Sequence, residues 1–280
     1  MTNLILCLLL SLLSCSSFAI EIRYPNIDGV GKKSLGYQIL QAILSSEKDV
    51  RLKLLDYPVN QDRARQMLLS QKIDIADFGV KKEFDNEFQP VRLPIDRGIL
   101  GWRIFIINKG LSDQFAKVKS ITDLRKFTAG QGAGWGDIKI LNAAGIRVET
   151  GTSLENLFKM TEAKRFEFLP LGANESHGLL RDFSAGSENL MVEENIVLHY
   201  PFGRFFYLRK SSTLLQKLIK SKLEHSLQSG ELQKILENHS MFKDAFSKAH
   251  LGKRIRIKID SPGLPNWFKE INPKWWYRVP

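Results

Sequence analysis

Residues 130–137 read Gly130-Gln131-Gly132-Ala133-Gly134-Trp135-Gly136-Asp137 and fall between a strand pattern and a helix pattern. In that place backbone N–H groups and the positive end of a helix can face a ligand. Neither nucleotide fingerprint is met. A phosphate loop ends in Gly-Lys-Ser/Thr, and the dinucleotide motif counted from Gly130 needs glycine where Trp135 stands. Asp137 is expected to cap the following helix, which occupies its free N–H groups and argues against a phosphate. Gln131, Gly132, Trp135 and Asp137 are therefore candidate contacts for a flat or apolar ligand surface. The same residues can instead form a tight turn with Trp135 in the core.

Arg103 opens an otherwise apolar run, where a guanidinium must find a carboxylate, a carbonyl or a ligand anion. Trp102 precedes it, and Arg97 stands between Asp96 and Gly98 with the same ambiguity. Asp77 follows a strand pattern at the end where open α/β sheets bind ligands, or is a turn residue. Asn174 and Glu175 follow a later strand, where they either reach a ligand or cap a helix. Tyr24, which closes the first strand before Pro25, completes the candidate set. His177, His199, His225, His239 and His250 lack the close helical pairing of a zinc site, and no Gly-x-Ser-x-Gly elbow occurs. No cofactor is expected.

The elements that must position these groups belong to a chain of 280 residues with 43% hydrophobic and 25% charged residues, enough for a sizeable core without metals or disulfides. Its formal charge of +11 predicts attraction to anions. Nucleic-acid binding is disfavoured because the basic residues are dispersed outside the tail. Both cysteines, Cys7 and Cys15, lie at the N-terminus, which excludes a cysteine nucleophile or thiolate site later in the chain. Residues 4–13 form an apolar run followed by small residues up to Ala19, the pattern of a secretory signal cleaved before Ile20. An alternative has Cys15 lipidated and retained. Both place the mature chain in a bacterial periplasm, in keeping with its lack of cysteine.

Beyond that segment, strands are predicted near 20–24, 51–55 and 73–76, with helices over 35–47 and after Asn60 as N-cap. This alternation implies an α/β domain with parallel neighbours. A second unit begins with the strand at 103–107. It continues through a helix at 120–126, a strand at 127–129, a helix at 137–144 and strands at 146–149 and 166–169. Thr152 and Glu155 are read as a capping box. Strand patterns at 195–200 and 204–208 precede a long amphipathic helix capped by Ser211 and ended by Gly230. From Lys253 the tail is basic and aromatic, and is expected to wrap the first unit.

The order of these elements, with Leu35-Gly36-Tyr37-Gln38-Ile39-Leu40, Lys72-Ile73-Asp74-Ile75-Ala76, Ile121-Thr122-Asp123-Leu124-Arg125, Arg165-Phe166-Glu167 and Ser229-Gly230-Glu231-Leu232, resembles the type II periplasmic solute-binding proteins near the polar amino-acid-binding family. The segments 98–103, 132–137 and 171–175 resemble a proteobacterial branch of that fold. The resemblance implies a two-lobed α/β protein, with residues 20–102 and 204–280 in one lobe, 103–203 in the other, and two hinge-crossing segments. It further implies a monomer that traps a small polar solute between the lobes and delivers it to an ABC-type membrane permease or a sensor kinase. Where amino-acid binders carry an Arg after the third strand, this chain reads Val80-Lys81-Lys82-Glu83-Phe84, a departure from that ligand class. Some relatives use the cleft for elimination chemistry on a small carboxylic acid, in which Glu175 or Asp77 would serve as acid or base.

Overall fold

The computed structural model describes residues 20–184 and 188–279, so the expected export segment, with Cys7 and Cys15, lies outside the described residues. The first half begins with β1 (Ile20–Ile27), α1 (Leu35–Ile43), β2 (Val50–Val59), α2 (Gln61–Leu69), β3 (Ile75–Gly79) and β4 (Phe88–Pro90). The second is built from β5 (Trp102–Asn108), α3 (Ser112–Phe115), α4 (Ile121–Leu124), β6 (Thr128–Gly132), α5 (Asp137–Ala143) and β7 (Arg147–Gly151). It continues with α6 (Leu154–Glu162), β8 (Phe168–Gly172), α7 (Ser176–Phe183), β9 (Leu190–Val192) and β10 (Ile196–His199). The chain then returns through β11 (Arg204–Arg209), α8 (Thr213–Ser229), α9 (Glu231–Asn238) and α10 (Lys243–Ser247), and ends with β12 (Ile255–Lys258) and short helical turns.

In the first lobe β1 and β2 pair in parallel, and β11 lies antiparallel between β3 and β4. The Asp74 N–H donates to the Arg23 carbonyl at 3.0 Å, linking the approach to β3 with β1. Ile39, Leu40, Met67, Ile75, Phe206, Leu232 and Leu236 are buried in its core. The second lobe's sheet runs β12, β10, β5, β8, β6, β7, with β9 beside β10 along one edge of β5. All seven residues of β5 are buried, which explains the apolar run from Ile104 to Ile107. Phe105, Phe115, Phe168 and Leu141 form the core on one face of that sheet.

Local chemistry corrects several expected caps. Asn60 does accept from the Arg63 N–H at 2.8 Å. The helix at 154–162 is capped by Ser153, whose hydroxyl accepts from the Asn156 N–H at 3.2 Å, while Thr152 takes the Asn156 side-chain amide at 2.8 Å. Ser212, not Ser211, occupies the N-cap of α8. Gly136 occupies the N-cap of α5, so Asp137 is the first helical residue and makes no capping bond. Gly230 ends α8 in the left-handed conformation at φ +79°, as the αL C-cap requires.

The C-terminal segment, expected wholly with the first lobe, is divided between the two. β12 pairs in parallel with β10 through Ile196↔Ile255 to His199↔Lys258, so it extends the second lobe's sheet. The residues after it return to the first lobe, where Trp267 packs edge-on against Phe205 at 5.2 Å. Four stretches thus cross between the lobes, against the two expected: 98–102, 200–203, 248–254 before β12 and the stretch after it.

Candidate functional site

One wall of the candidate site is a chain of buried polar groups across β1, β3 and β11. The Tyr24 hydroxyl donates to Asp77 Oδ1. Arg204 Nε donates to Asp77 Oδ2 at 2.6 Å, and an Arg204 Nη donates to the Asp77 carbonyl at 2.9 Å. The Arg204 N–H in turn donates to Asp96 Oδ1 at 2.9 Å, and the N–H groups of Gly98 and Leu100 reach Asp96 at 3.2 and 3.3 Å. Burial raises the Tyr24 phenol well above its ordinary range, and the Asp77 charge adds to this. Burial would lower Arg204, but the Asp77 charge and hydrogen bond outweigh it and raise the guanidinium. For Asp96 burial raises the carboxyl, against the opposing pull of its three backbone donors. Helix α1 closes over this wall at Gly36, where a Cβ would stand 2.3 Å from the Tyr24 hydroxyl and 2.4 Å from Asp77 Oδ1.

The facing wall comes from the carboxyl end of β8. Asn174 is 4% exposed and donates through Nδ2 to the Met241 carbonyl at 3.2 Å, while its Oδ1 has no hydrogen-bond partner among the described residues. Glu175 Oε1 accepts from the Gly172 N–H at 3.0 Å and lies 3.7 Å from Arg103 Nη1. Arg103 also donates through Nε to the Tyr200 hydroxyl at 2.6 Å and pairs through Nη2 with Asp137 Oδ1 at 2.7 Å. The Tyr200 hydroxyl donates to the same Asp137 oxygen. Burial would lower Arg103, but Asp137, then Tyr200 and Glu175, raise it above the ordinary guanidinium value.

Between the two walls lies a cavity of about 210 Å³, where Tyr24, Asp77 and Arg204 meet Asn174 and Glu175. Asp28 and Gln61 add polar groups, and Val30, Leu35, Leu100 and Phe242 supply the apolar lining. Four of the residues singled out from sequence, Tyr24, Asp77, Asn174 and Glu175, therefore line one cavity. Arg103 and Asp137 stand behind it as an internal ion pair with Tyr200.

The remaining candidates sit elsewhere. Gln131 is fully buried, with Nε2 donating to the Pro170 carbonyl at 3.3 Å and Oε1 lacking a partner among the described residues. The half-buried Trp135 ring covers Gly132, where a Cβ would meet it at 2.2 Å. Trp102 and Arg97 line a different cavity. Arg97 Nη1 donates to Gln233 Oε1 at 2.6 Å, and its other donors reach carbonyls of Lys274, Trp275 and Trp276 at 3.3–3.4 Å. Arg204 was not anticipated as a site residue, although it opens an apolar strand just as Arg103 does. Among the described residues no group of three or more His, Cys, Asp or Glu side chains could hold a metal ion, and no helix is long and apolar enough to cross a membrane.

No family model and no curated protein matches the sequence. Solved structures do match the fold. An ancestral arginine-binding protein bound to arginine is 17% identical with a TM-score of 0.55, over 79% of this chain and 99% of its own. The VFT2 domain of BvgS from Bordetella pertussis is 14% identical with a TM-score of 0.57, over 79% and 92%. The amino acid ABC transporter substrate-binding protein AbpA from Streptococcus pneumoniae, bound to L-arginine, is 15% identical with a TM-score of 0.53, over 80% and 95%. The fold is that of the two-lobed solute-binding proteins.

Proposed function

We propose that the mature chain is a periplasmic solute-binding protein that captures a small polar solute between its lobes and presents it to an ABC-type permease or a sensor kinase, acting as a monomer and without catalysis. The observation that carries this reading is the cavity shared by Tyr24, Asp77 and Arg204 from one lobe and Asn174 and Glu175 from the other. A solute seated there would touch both lobes and so favour the closed form, which is how a clamshell reports occupancy.

The lining also bears on the class of solute. Arg204 is engaged by Asp77, whereas Asn174 Oδ1 has no partner among the described residues, and Asp28 and Glu175 add carboxylates. Acceptors outnumber free donors, which favours a solute bearing a protonated nitrogen. Two of the structural neighbours are described as bound to arginine. With Asp77 held by Tyr24 and Arg204, and a Glu175 oxygen held by a backbone N–H, both carboxylates have positional roles that suit binding.

The test is a thermal-shift and calorimetric screen of protein purified without refolding, with L-arginine, putrescine and succinate as probes, and mass spectrometry of any released solute. A cationic probe should raise the melting temperature and be recovered unchanged. Glu175→Gln should weaken its binding about ten-fold, the loss of one charged hydrogen bond. A response to succinate alone overturns the cationic reading, and recovery of an altered solute overturns the binding-protein reading.

A further inference from the structure

A larger cavity, about 700 Å³, lies apart from the proposed solute site and is bounded by three of the stretches that cross between the lobes. Trp102 and His199 form one wall, with ring centroids 4.1 Å apart, and the guanidinium of Arg256 lies 5.3 Å from the Trp102 ring. Phe202 and, from the returning tail, Trp276 and Tyr277 also line it. Planar side chains thus line a space large enough for a ring system.

The charges at this cavity are uneven. Arg97 is engaged by Gln233 and three carbonyls and serves to fasten the tail. Arg256 and Lys269 are exposed and, among the described residues, make no side-chain hydrogen bond or ion pair, while Asp260 supplies the cavity's one carboxylate. Burial, and then the charges of Arg256 and Lys258, lower His199 to about 4, so its ring is neutral at pH 7. Arg256 covers the buried Trp102 ring and keeps its planar donor fork free beside the partly exposed rings of Phe202, Trp276 and Tyr277, an arrangement that suits a carboxylate or sulfonate attached to a ring.

We propose that this cavity is a second ligand site, selective for a small aromatic anion, whose occupant lies against the partly exposed rings of Phe202, Trp276 and Tyr277 and pairs with Arg256. It does not depend on the solute proposed for the first cavity. Because β12 belongs to the second lobe's sheet and Trp276 packs on Phe205 and Phe268 of the first, the occupant would touch both lobes at the hinge.

Naphthalene-2-carboxylate and its uncharged analogue naphthalene-2-carboxamide test this on the full mature chain, by tryptophan quenching and calorimetry. The carboxylate should bind one to one and saturably, and about ten-fold more tightly than the carboxamide, the effect of one charge-assisted hydrogen-bonded pair. Arg256→Gln, at an exposed position, should fold normally and remove that preference. Glu175→Gln, in the first cavity, should leave naphthalene-2-carboxylate binding unchanged. Equal binding of the two probes, equal binding by Arg256→Gln, loss of binding in Glu175→Gln, or no saturable binding at all would each overturn the proposal.

Discussion

Gly101 lies so close to the Tyr200 carbonyl that a Cβ at Gly101 would stand 2.3 Å from that oxygen, while the Tyr200 N–H donates to the Gly101 carbonyl at 3.1 Å. Two of the segments joining the lobes are thus in backbone contact at a point where only glycine fits. Tyr200 also carries the hydroxyl held between Arg103 and Asp137, so this contact positions the ion pair behind the solute cavity.

Gly101→Ala should therefore force the crossing segments apart. A backbone shift of this kind costs about 1–3 kcal/mol, which lowers the melting temperature by a few degrees in a chain of this size. Gly136→Ala is the control, since nothing stands within 4 Å of a Cβ there. It should stay within about 0.5 kcal/mol of the parent. Differential scanning calorimetry compares the two, and equal effects would show that the contact at Gly101 is relaxed at no cost.

The Arg103–Asp137 pair makes a second prediction. Arg103→Met leaves the Asp137 carboxylate, 17% exposed, without its cation and should cost about 3 kcal/mol, as breaking a buried pair does. Adding Asp137→Asn removes the stranded charge, so the double variant should be more stable than Arg103→Met alone. A double-mutant cycle by chemical denaturation measures the coupling. Additive losses would show that the two side chains do not depend on one another.

His199 predicts a pH dependence. Its folded-state value of about 4 lies below the ordinary 6.5, because burial and then Arg256 and Lys258 disfavour the imidazolium. The unfolded chain binds the proton more readily, so the contribution of neutral His199 is complete above pH 6.5. It is lost as pH falls from 6.5 towards 4. The full difference corresponds to about 3 kcal/mol at most. His199→Phe, which keeps a ring against Trp102, should flatten the stability profile across that interval relative to the parent. Parallel profiles would mean that the buried imidazole is not the group that titrates.

Much of this arrangement was legible in residue types. Glycines marked turns, an apolar run marked the buried β5, and a polar pair after a strand marked Asn174 and Glu175. What was not legible depended on contacts between distant segments. Arg97 and Arg103 read alike in sequence, yet one fastens the tail through carbonyls and the other forms an ion pair, a difference that only the fold supplies. Arg204 carries the same signal as Arg103, a cation opening an apolar strand. The 253–258 run looked like a basic tail because charge dominates its composition. Its alternation of Arg254, Ile255, Arg256, Ile257 and Lys258 was nonetheless a period-two strand pattern, with Ile257 buried and Arg256 and Lys258 exposed in β12.

The returning tail carries the last prediction. Trp267 is buried, donates its indole N–H to both Asp85 carboxylate oxygens at 2.9 and 3.0 Å, and packs on Phe205. Trp267→Ala removes that packing and should cost about 3–5 kcal/mol, the usual range for deleting a buried Trp or Phe side chain. Trp267→Phe keeps much of the contact and loses the hydrogen bond to a half-buried carboxylate, which should cost about 1–2 kcal/mol. A tail integral to the fold, with β12 in one lobe and Trp267 in the other, transmits these losses to the whole molecule as one lowered transition. A tail that merely rests on the surface would detach alone. Limited proteolysis would then cleave Trp267→Ala after β12 while the melting temperature of the remainder stayed at the parent value, and the connection that follows β12 would have no structural role.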